Sequence, residues 1–584
     1  MIKYICKACD NTICDTSICP ICHKRAEVYS SDVYYCEKCK VPIYEETCSI
    51  CGTKGKRIGS DVRPVFPEER LLIEIIEGNP FKYKDLSIWE TGNGNYLIDG
   101  QKKKIVFRNV ISNIKSDYVY NELQKYNAEN QEYVDSYLSS KIISNFINAN
   151  KKRFNYIETE AIEYIKNISK GFKQDEMFVS FSGGKDSTTT SSLVIDAFEN
   201  QPIIHLYGDT TIEMSDSQTY INEFKQRFNN MPFLVAKNKD QDFYKLCEVI
   251  GPPSRMMRWC CTFFKTGAIT RKIDQAFKNK TKVLSFQGLR RGESLARSTY
   301  DRESDTTKIG KQLTIAPIID WQEMDVWLYI LTKKIPFNNA YRKGYTRVGC
   351  YLCPNNSEWP MYLTSIYMKE EYDRFYKMLI DFATKIGKKD PKEYIDDNGW
   401  KKRQGGNGLE YSKNVVVDFK PCVLEEHAYN FTLNRELEEN FYELFKPFGK
   451  LDFEIGNKRL NEVYVLDRKT NEPLLKISGR LGQEEVKIKV VKFNKVFTND
   501  TISESLIKKQ ITKYQSCMAC MACESNCKLD ALKITVLDKN NISFDSIVYK
   551  IDEKKCVGCL ECVKHFQNGC FLKKVLRTRK DYGN

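Results

Sequence analysis

The feature that most limits how this chain can fold is the placement of its 23 cysteines. All but two of them fall in three zones, residues 6–51, 260–353 and 517–570, and most stand in Cys-x-x-Cys pairs. Thiols at this spacing are typical of metal sites, and the segment Met1–Cys6 lacks the apolar core of an export signal. Only four histidines accompany them, so we expect thiolate-rich sites suited to zinc or to iron–sulfur clusters.

The first zone contains two consecutive four-cysteine sets with short loops. This spacing predicts two small zinc ribbons within residues 1–60. Because the ribbons contain few apolar residues, we expect zinc to supply much of their folding free energy. The predicted ligands are Cys6, Cys9, Cys19 and Cys22 for one ion and Cys36, Cys39, Cys48 and Cys51 for the other.

The overall charge and length narrow the function only broadly. At 584 residues, the chain is long enough for about three to five domains. Its formal charge of +14 favours anionic partners such as nucleotides or nucleic acid, although solubility alone explains it equally well. No apolar run reaches the roughly 18 residues of a membrane span, so we expect a cytoplasmic protein without a membrane partner.

The order of patterns along the chain predicts its domains. Arg63–Pro67 resembles a linker before a helix, and alternating runs, including Ile105–Phe107, indicate a small basic β module. Between residues 177 and 290, strand and helix patterns alternate, which predicts an α/β fold with a parallel sheet. The expected segments are 1–60 (ribbons), 61–117 (β module), 118–360 (nucleotide domain), 361–413 (helical extension), 414–505 (mixed α+β) and 506–584 (cysteine-rich domain).

The most informative motif outside the cysteines follows the apolar run Met177–Phe181. A glycine-containing loop there leads directly into a predicted helix, and such a loop presents free backbone N–H groups and a positive dipole end to phosphate. Lys185 would neutralise phosphate charge, Asp186 could hold magnesium and Ser187 could donate a hydrogen bond. The loop reads Ser182, Gly183, Gly184, Lys185, Asp186, Ser187.

This loop resembles the pyrophosphate (PP) loop of the adenine nucleotide α-hydrolase superfamily, whose members cleave ATP to AMP and pyrophosphate. His205–Thr210 is similar to the Asp-Thr motif of phosphoadenosine phosphosulfate (PAPS) reductase-like proteins, and Gly288–Ser294 resembles their arginine-rich loop. The resemblance implies an ATP site with magnesium. Its cofactor-binding residues would be the loop residues 182–187 with Asp209, Thr210, Arg290, Arg291 and Glu293. Its catalytic residues would be Lys185, Asp186, Arg290, Arg291, Cys260 and Cys261.

The second cysteine zone also matches this family. Cys260-Cys261 and the later pair Cys350 and Cys353 resemble the set that holds a four-iron cluster in adenylylsulfate reductases and in DNA phosphorothioation proteins. Four thiolates suffice for one 4Fe–4S cluster, whereas adjacent cysteines are unusual zinc ligands. Zinc remains the alternative here, and either Cys260 or Cys261 becomes a candidate sulfur carrier if it is not a ligand.

The third zone resembles a bacterial two-cluster ferredoxin, in which the last cysteine of each run binds the other cluster. One departure is Phe566, which stands where the second run's fourth cysteine belongs, with Cys570 four residues later. A cluster therefore uses Cys570 or keeps only three irons, and zinc is the alternative. The predicted ligands are Cys517, Cys520, Cys523, Cys527, Cys556, Cys559, Cys562 and Cys570.

These motifs lead to one leading hypothesis and two alternatives. The intact loop, and the absence of a Glu-Cys-Gly-Leu-His tail, favour an ATP-dependent enzyme that adenylates a substrate for sulfur transfer to nucleic acid, with a sulfur donor protein or sulfide as partner. The first alternative is an oxidoreductase that reduces adenylylsulfate or PAPS with electrons from its own ferredoxin domain. The second is a nucleotide-sensing protein that binds nucleic acid. The ribbons beside a basic, PUA-like β module resemble RNA-binding attachments.

Overall fold

The computed structural model describes residues 3–6, 9, 12–14, 18–23, 27–29, 32–59, 61–295, 297–305, 311–538, 546–566 and 569–578. The N-terminal part forms two antiparallel sheets of three strands, with orders β2-β1-β3 and β5-β4-β6. Their strands are β1 (Lys3–Cys6), β2 (Thr12–Cys14), β3 (Glu27–Tyr29), β4 (Val33–Cys36), β5 (Val41–Ile43) and β6 (Lys56–Gly59). In the second sheet, the Cys39 amide donates to Cys36 Sγ (3.4 Å), so the turn itself orients a thiol.

The segment expected to be a linker is buried instead. Arg63–Pro64 is a strand, and the Arg63 guanidinium lies between the carboxylates of Glu69 (Nη1–Oε2 2.7 Å) and Glu90 (Nε–Oε2 2.5 Å). The chain therefore continues into a compact module with sheet order β10-β9-β8-β7. Its elements are β7 (Arg63–Pro64), α1 (Pro67–Ile76), β8 (Ile88–Glu90), β9 (Asn95–Ile98) and β10 (Gln101–Lys104).

Four helices lead from this module to the main sheet, and the apolar spacing of residues 118–170 predicts the last three of them. They are α2 (Phe107–Asn113), α3 (Ser116–Tyr137), α4 (Lys141–Ala149) and α5 (Lys151–Ile168). The strand expected at Ile105–Phe107 is wrong, because α2 begins at Phe107. The Phe107 ring stacks on Trp359 with centroids 4.0 Å apart, a distant contact that local alternation cannot reveal.

The centre of the chain is the predicted α/β fold. Its six-stranded sheet has the order β13-β12-β11-β14-β16-β15, and every neighbouring pair is parallel except β15 with β16. The elements are β11 (Met177–Phe181), α6 (Lys185–Ala197), β12 (Ile204–Asp209), α7 (Ser215–Arg227), β13 (Phe233–Lys237), α8 (Phe243–Ile250), α9 (Gly267–Ala276), β14 (Val283–Gln287), β15 (Glu303–Ser304), β16 (Gln312–Ile315) and α10 (Glu323–Thr332). A π-helical turn, Cys261–Thr266, runs directly into α9.

A helical segment and a second sheet follow. The helices are α11 (Glu358–Tyr367), α12 (Lys369–Lys385), α13 (Pro391–Asp396) and α14 (Gly399–Lys402). The sheet is antiparallel, with order β17-β18-β22-β21-β20-β19. Its elements are β17 (Asp418–Pro421), β18 (Ala428–Thr432), α15 (Asn440–Glu443), β19 (Lys450–Asp452), β20 (Val463–Leu466), β21 (Pro473–Ser478) and β22 (Glu485–Val490).

The C-terminal part packs into the body of the protein. It contains α16 (Asp500–Ser516), α17 (Ala522–Ser525), β23 (Leu532–Val536), β24 (Ile547–Ile551), α18 (Glu561–Lys564) and α19 (Phe571–Leu576). One hydrophobic core joins Trp259 and Phe263 of the α/β fold to Met518, Cys520 and Leu572. Among the described helices, none has both the length and the apolar character needed to cross a bilayer.

Candidate functional site

The phosphate-loop motif joins β11 to the first turn of α6. The Ser182 amide donates to Ser187 Oγ (3.2 Å), which closes the loop on itself, and Gly183 has a φ of +72° that favours glycine. Gly184 is the residue before the first helical position, Lys185. The loop therefore places the amide groups of a 13-residue helix at the carboxyl edge of the sheet, where ligands of such folds bind.

Lys185 is buried behind this loop and surrounded by acceptors. Its Nζ donates to the Thr346 carbonyl (3.1 Å) and lies 3.5 Å from both Asp186 Oδ2 and Glu323 Oε1. Burial works against the charged form, but the charges of Asp186 and Glu323 outweigh it and raise the pKa of Lys185. The charged ammonium group of Lys185 therefore lies at the start of α6. The Lys185 amide donates to Tyr341 Oη (2.9 Å).

Arg290 completes this charged cluster from the next strand of the sheet. Gly288, just after β14, lies so close to the loop that a Cβ there would be 2.4 Å from the Asp186 carbonyl carbon. This approach lets the buried Arg290 guanidinium pair with Asp186. Although burial alone would raise the pKa of Asp186, the charges of Arg290 and Lys185 lower it to about 2. Asp186 is thus an ionised carboxylate held between two cations.

The other predicted residues of the arginine-rich loop have different partners. Arg291 pairs with Asp320 and donates from Nε to the Tyr300 carbonyl (3.1 Å). Glu293 pairs with Arg297 and also accepts from the Arg290 amide (3.3 Å). These contacts bring Arg290 to the phosphate loop, whereas Arg291 and Glu293 stabilise the arginine-rich loop.

The Asp-Thr motif at the end of β12 contacts one of the central cysteines. Asp209 Oδ2 lies 2.8 Å from Lys237 Nζ on the neighbouring strand. Thr210 Oγ1 donates to Glu213 Oε1 (2.7 Å) and lies 3.2 Å from Cys350 Sγ. Glu213 and Cys350 also form a β-bridge. A thiol and the end of β12 therefore meet at one edge of the sheet.

The four central cysteines lie together at this edge. Cys260 precedes the π-helical turn that begins at Cys261. Hydrogen bonding to Cys261, burial, and the charges of Cys261, Cys350 and Cys353 raise the pKa of the Cys260 thiol. A bound metal would offset that repulsion. Among the described residues, two cysteine sets have all their sulfur atoms within 4.8 Å of one another, as the ligands of a single zinc ion do. The central set is not one of these two. The four-iron cluster expected at this set stays a prediction.

The two N-terminal four-cysteine sets are more compact than the central set. In each, all four sulfurs lie within 4.8 Å of one another. The Cys6–Cys22 and Cys36–Cys51 sulfur pairs are 3.4 Å apart, and the Cys9–Cys19 and Cys39–Cys48 pairs are 3.8 Å apart. A tetrahedral zinc ion with bonds of about 2.3 Å separates its sulfurs by about 3.8 Å. Both sets could therefore bind zinc.

The C-terminal cysteines separate into two further sets. Cys527, Cys556, Cys559 and Cys562 line one cavity together with Pro447, Leu529 and Val557. Cys570 lies elsewhere: it accepts a hydrogen bond from Ser516 Oγ (3.7 Å), beside Cys517. Burial and the charges of Cys570, Cys523 and Cys517 raise the pKa of Cys520. The geometry thus groups Cys570 with the first run and Cys527 with the second, as an exchange of the last cysteines would require.

Several residues of the site carry no signal of their own in the sequence. Asp61, next to the second ribbon, accepts from the Glu323 and Met324 amides (2.8 and 2.9 Å) at the start of α10. Burial and the charge of Glu323 raise the pKa of Asp61 to about 7. Tyr341 and Glu323 fall in stretches that match the family, but only the fold shows that they contact Lys185.

Comparisons with known proteins agree with this geometry. Residues 176–356 match the family model of the phosphoadenosine phosphosulfate reductase domain. An uncharacterized protein of Methanocaldococcus jannaschii is 30% identical over 239 residues, which are 41% of this chain and 48% of that protein. The chain thus spans about half the length of this relative. The adenosine 5'-phosphosulfate reductase of Neisseria meningitidis serogroup A is 36% identical over 201 residues, which are 34% of this chain and 78% of that enzyme.

Among solved structures, the phosphoadenylyl-sulfate reductase of Candida auris is 14% identical, with a TM-score of 0.27, over 34% of this chain and 95% of its own. The sequence relatives carry the assignment, because the Neisseria enzyme is matched over most of its length and the family model covers the loop, the Asp-Thr motif and the central cysteines. This chain belongs to the phosphoadenosine phosphosulfate reductase domain family.

Proposed function

We propose that this protein is an ATP-dependent iron–sulfur enzyme that releases pyrophosphate, adenylates an oxygen atom of its substrate and prepares that position for sulfur transfer. One observation carries the proposal. The buried ammonium of Lys185 lies at the start of α6, while Thr210, at the same edge of the sheet, contacts Cys350. A phosphate-binding loop and a cluster of thiols therefore share one site.

The residues around the loop would have different roles in adenylation. The α6 amides and Lys185 would bind the β and γ phosphates, and Arg290 would stabilise the charge on the departing pyrophosphate. Asp186 and Glu323 supply carboxylate oxygens of the kind that magnesium prefers, on either side of Lys185. Magnesium bound there would neutralise phosphate charge.

The central thiols would act on the adenylated substrate. An iron–sulfur cluster held by Cys260, Cys261, Cys350 and Cys353 would supply one-electron chemistry beside the nucleotide. With sulfide as donor, sulfur replaces the adenylated oxygen and AMP leaves, and no electrons are needed. With a persulfide donor, two electrons must cleave the S–S bond, and the C-terminal cysteine sets would deliver them.

Nucleic acid is the acceptor class that the rest of the chain favours. The chain has a formal charge of +14, and β10 carries three consecutive lysines, residues 102–104, of which the first and last are exposed. Two zinc-binding sets precede this strand. Mass spectrometry of nucleosides from cells with and without the protein tests this part: a sulfur-containing nucleoside that disappears with the protein supports it, and identical nucleoside profiles contradict it.

Reduction of adenylylsulfate is the second candidate, supported by the 36% identity to the Neisseria reductase. Both candidates can be tested in one experiment. The anaerobic protein is incubated with magnesium and ATP plus RNA or DNA, or with adenylylsulfate plus a reduced viologen that supplies the two electrons. The first reaction would form AMP and pyrophosphate, and the second AMP and sulfite.

The decisive variant is Lys185→Ala, with exposed Lys170→Ala as control. Loss of a hydrogen bond to a charged group costs about 1.5–3 kcal/mol, so ATP affinity should fall about 10- to 150-fold. Pyrophosphate release that persists at the wild-type rate in Lys185→Ala would refute the role of the loop, and sulfite formation without ATP cleavage would decide for the reductase.

A further inference from the structure

The C-terminal cysteine run touches the helix that follows the central cysteines. At Gly267, the first residue of α9, a Cβ atom would lie 3.0 Å from Met521 Cβ, 3.0 Å from the Thr262 carbonyl oxygen and 3.4 Å from the Cys520 carbonyl oxygen. Real Cβ contacts are seldom this short, so a side chain at residue 267 would force its neighbours to move by a few tenths of an ångström. Cys261 lies in the turn just before this contact, and Cys520 lies within it.

An ion pair fixes this contact from one side. Arg271 of α9 makes a two-pronged bond to Glu524, with Nε–Oε1 and Nη2–Oε2 distances of 3.1 and 3.2 Å, and also donates to the Ile534 carbonyl. Glu524 is only 3% exposed and accepts from the Ile534 amide (3.0 Å). The two parallel hydrogen bonds between Arg271 and Glu524 fix both the distance and the relative orientation of α9 and α17.

The other side is fixed by an amide and by apolar packing. Gln241 Nε2 donates to the Met518 carbonyl (3.0 Å), inside the first cysteine run. Trp259 and Phe263, which flank the Cys260-Cys261 pair, share a hydrophobic core with Met518 and Cys520. The two cysteine sets therefore belong to one packed body and are not joined by a flexible tether.

The two C-terminal sets differ in exposure. Cys520 and Cys570 are buried, whereas Cys559 is exposed and its neighbour Val557 is 67% exposed. The set of Cys527, Cys556, Cys559 and Cys562 therefore faces solvent, and the set of Cys517, Cys520, Cys523 and Cys570 lies between it and the central cysteines.

We propose that the contact between Thr262–Gly267 and Cys520–Met521 is an electron-transfer junction. A reduced one-electron carrier loses an electron at the solvent-facing set, and that electron passes to the buried set and then across the junction to the central set. Each transfer oxidises one centre and reduces the next by one electron. This inference rests on the proposed function, because it requires iron–sulfur clusters at all three sets.

The test compares full-length Gly267→Val with wild type and with a control. A valine at residue 267 must push Met521 away, whereas Gly59, which has no atom within 4 Å of its Cβ position, tolerates alanine. Anaerobically reconstituted proteins are reduced stepwise with dithionite, and electron paramagnetic resonance records the magnetic splitting between neighbouring reduced clusters. We expect a splitting between the central cluster and the buried C-terminal cluster in wild type and in Gly59→Ala, and a smaller one in Gly267→Val at unchanged iron content. The splitting between the two C-terminal clusters should stay the same in all three proteins.

A second variant covers the case in which Gly267→Val fails to fold. Arg271→Gln removes the fork to Glu524 but adds no bulk, and it should weaken the splitting while iron and sulfide remain bound. Full splitting in a folded Gly267→Val or Arg271→Gln protein, or none in wild type that contains all its iron, overturns the junction. Because the readout does not involve ATP, normal pyrophosphate release alongside either result leaves the proposed reaction standing, whereas absence of iron contradicts the proposed function itself.

Discussion

The second zinc-binding set is expected to support the nucleotide domain, and Cys48→Ser tests this directly. Cys48 Sγ lies 3.8 Å from Cys39 Sγ within the four-sulfur group. The substitution removes one of four ligands and should release the ion, which contributes folding free energy to such small modules. The turns that zinc holds should then loosen.

The free energy lost on loosening comes from the hydrogen bonds between these turns and the helices that pack behind them. Four hydrogen bonds cross this boundary, and at about 1 kcal/mol each they contribute about 4 kcal/mol. They are Tyr44 N–Asn150 Oδ1 (3.1 Å), Ser49 Oγ–Ala149 O (3.1 Å), Asn145 Nδ2–Cys39 O (3.2 Å) and Asn150 Nδ2–Pro42 O (3.0 Å). The Arg153 guanidinium also lies 4.8 Å from the Tyr44 ring, and Arg153 in turn pairs with Asp325 in the first turn of α10.

Hydrogen exchange with mass spectrometry measures the result. A loss of about 4 kcal/mol corresponds to exchange in α4 and the start of α5 that is faster by up to about 1,000-fold. ATP affinity should fall as well, since α10 carries Glu323 next to Lys185. Cys19→Ser, which removes a ligand from the first set, is the matched control and should cost one zinc ion only. Unchanged exchange in α4 after loss of the second zinc ion would refute the reasoning.

Three further predictions concern the nucleotide loop and the sheet beneath it. Tyr341→Phe removes the acceptor of the Lys185 amide and should cost about 1 kcal/mol in thermal unfolding while leaving ATP cleavage in place; loss of cleavage would assign the hydroxyl a chemical role. The pKa of Asp186 falls from 3.8 to about 2, so its pairing with Arg290 contributes about 2 kcal/mol above pH 3.8 that is lost as the pH falls through 2; Asp186→Asn should abolish this part of the acid transition, which acid titration of unfolding would show. Burial lowers the pKa of His205 to about 4, so stability should decline by about 3 kcal/mol as the pH falls from 6.5 to 4, and NMR should find a neutral imidazole at pH 6; a charged ring at that pH would contradict it.

The α/β core could be predicted because its signals are local. Met177–Phe181 is a short apolar strand, and the loop after it has glycines where the backbone must bend. Strands and helices alternate between residues 177 and 290, as predicted. The meeting of Lys185 and Arg290 also follows from topology, because parallel strands end at one edge.

Other features depend on contacts between distant residues and could not be predicted. Asp61 contacts the start of α10, although more than 250 positions separate the two in sequence. The spacing departs from the ferredoxin pattern at Phe566, so the sequence alone does not group Cys570 with either run. The bond from Ser516 to Cys570 shows that Cys570 lies beside Cys517, and its role as a ligand stays a prediction. Arg63 looked like part of a linker because its buried partners, Glu69 and Glu90, become neighbours only after folding.

The shared core has a consequence for how the protein is made. Leu572, Val575 and Leu576 pack in the same core as Trp259 and Phe263, yet the ribosome adds them long afterwards. Domains near the N-terminus usually fold during synthesis. This core cannot be completed until α19 has been synthesised, so part of its apolar surface stays exposed until then. Cys520 and Cys570 belong to that late-arriving layer. Chains that stop before α19 should therefore have a folded early half and a central core whose apolar surface stays accessible to chaperones and proteases.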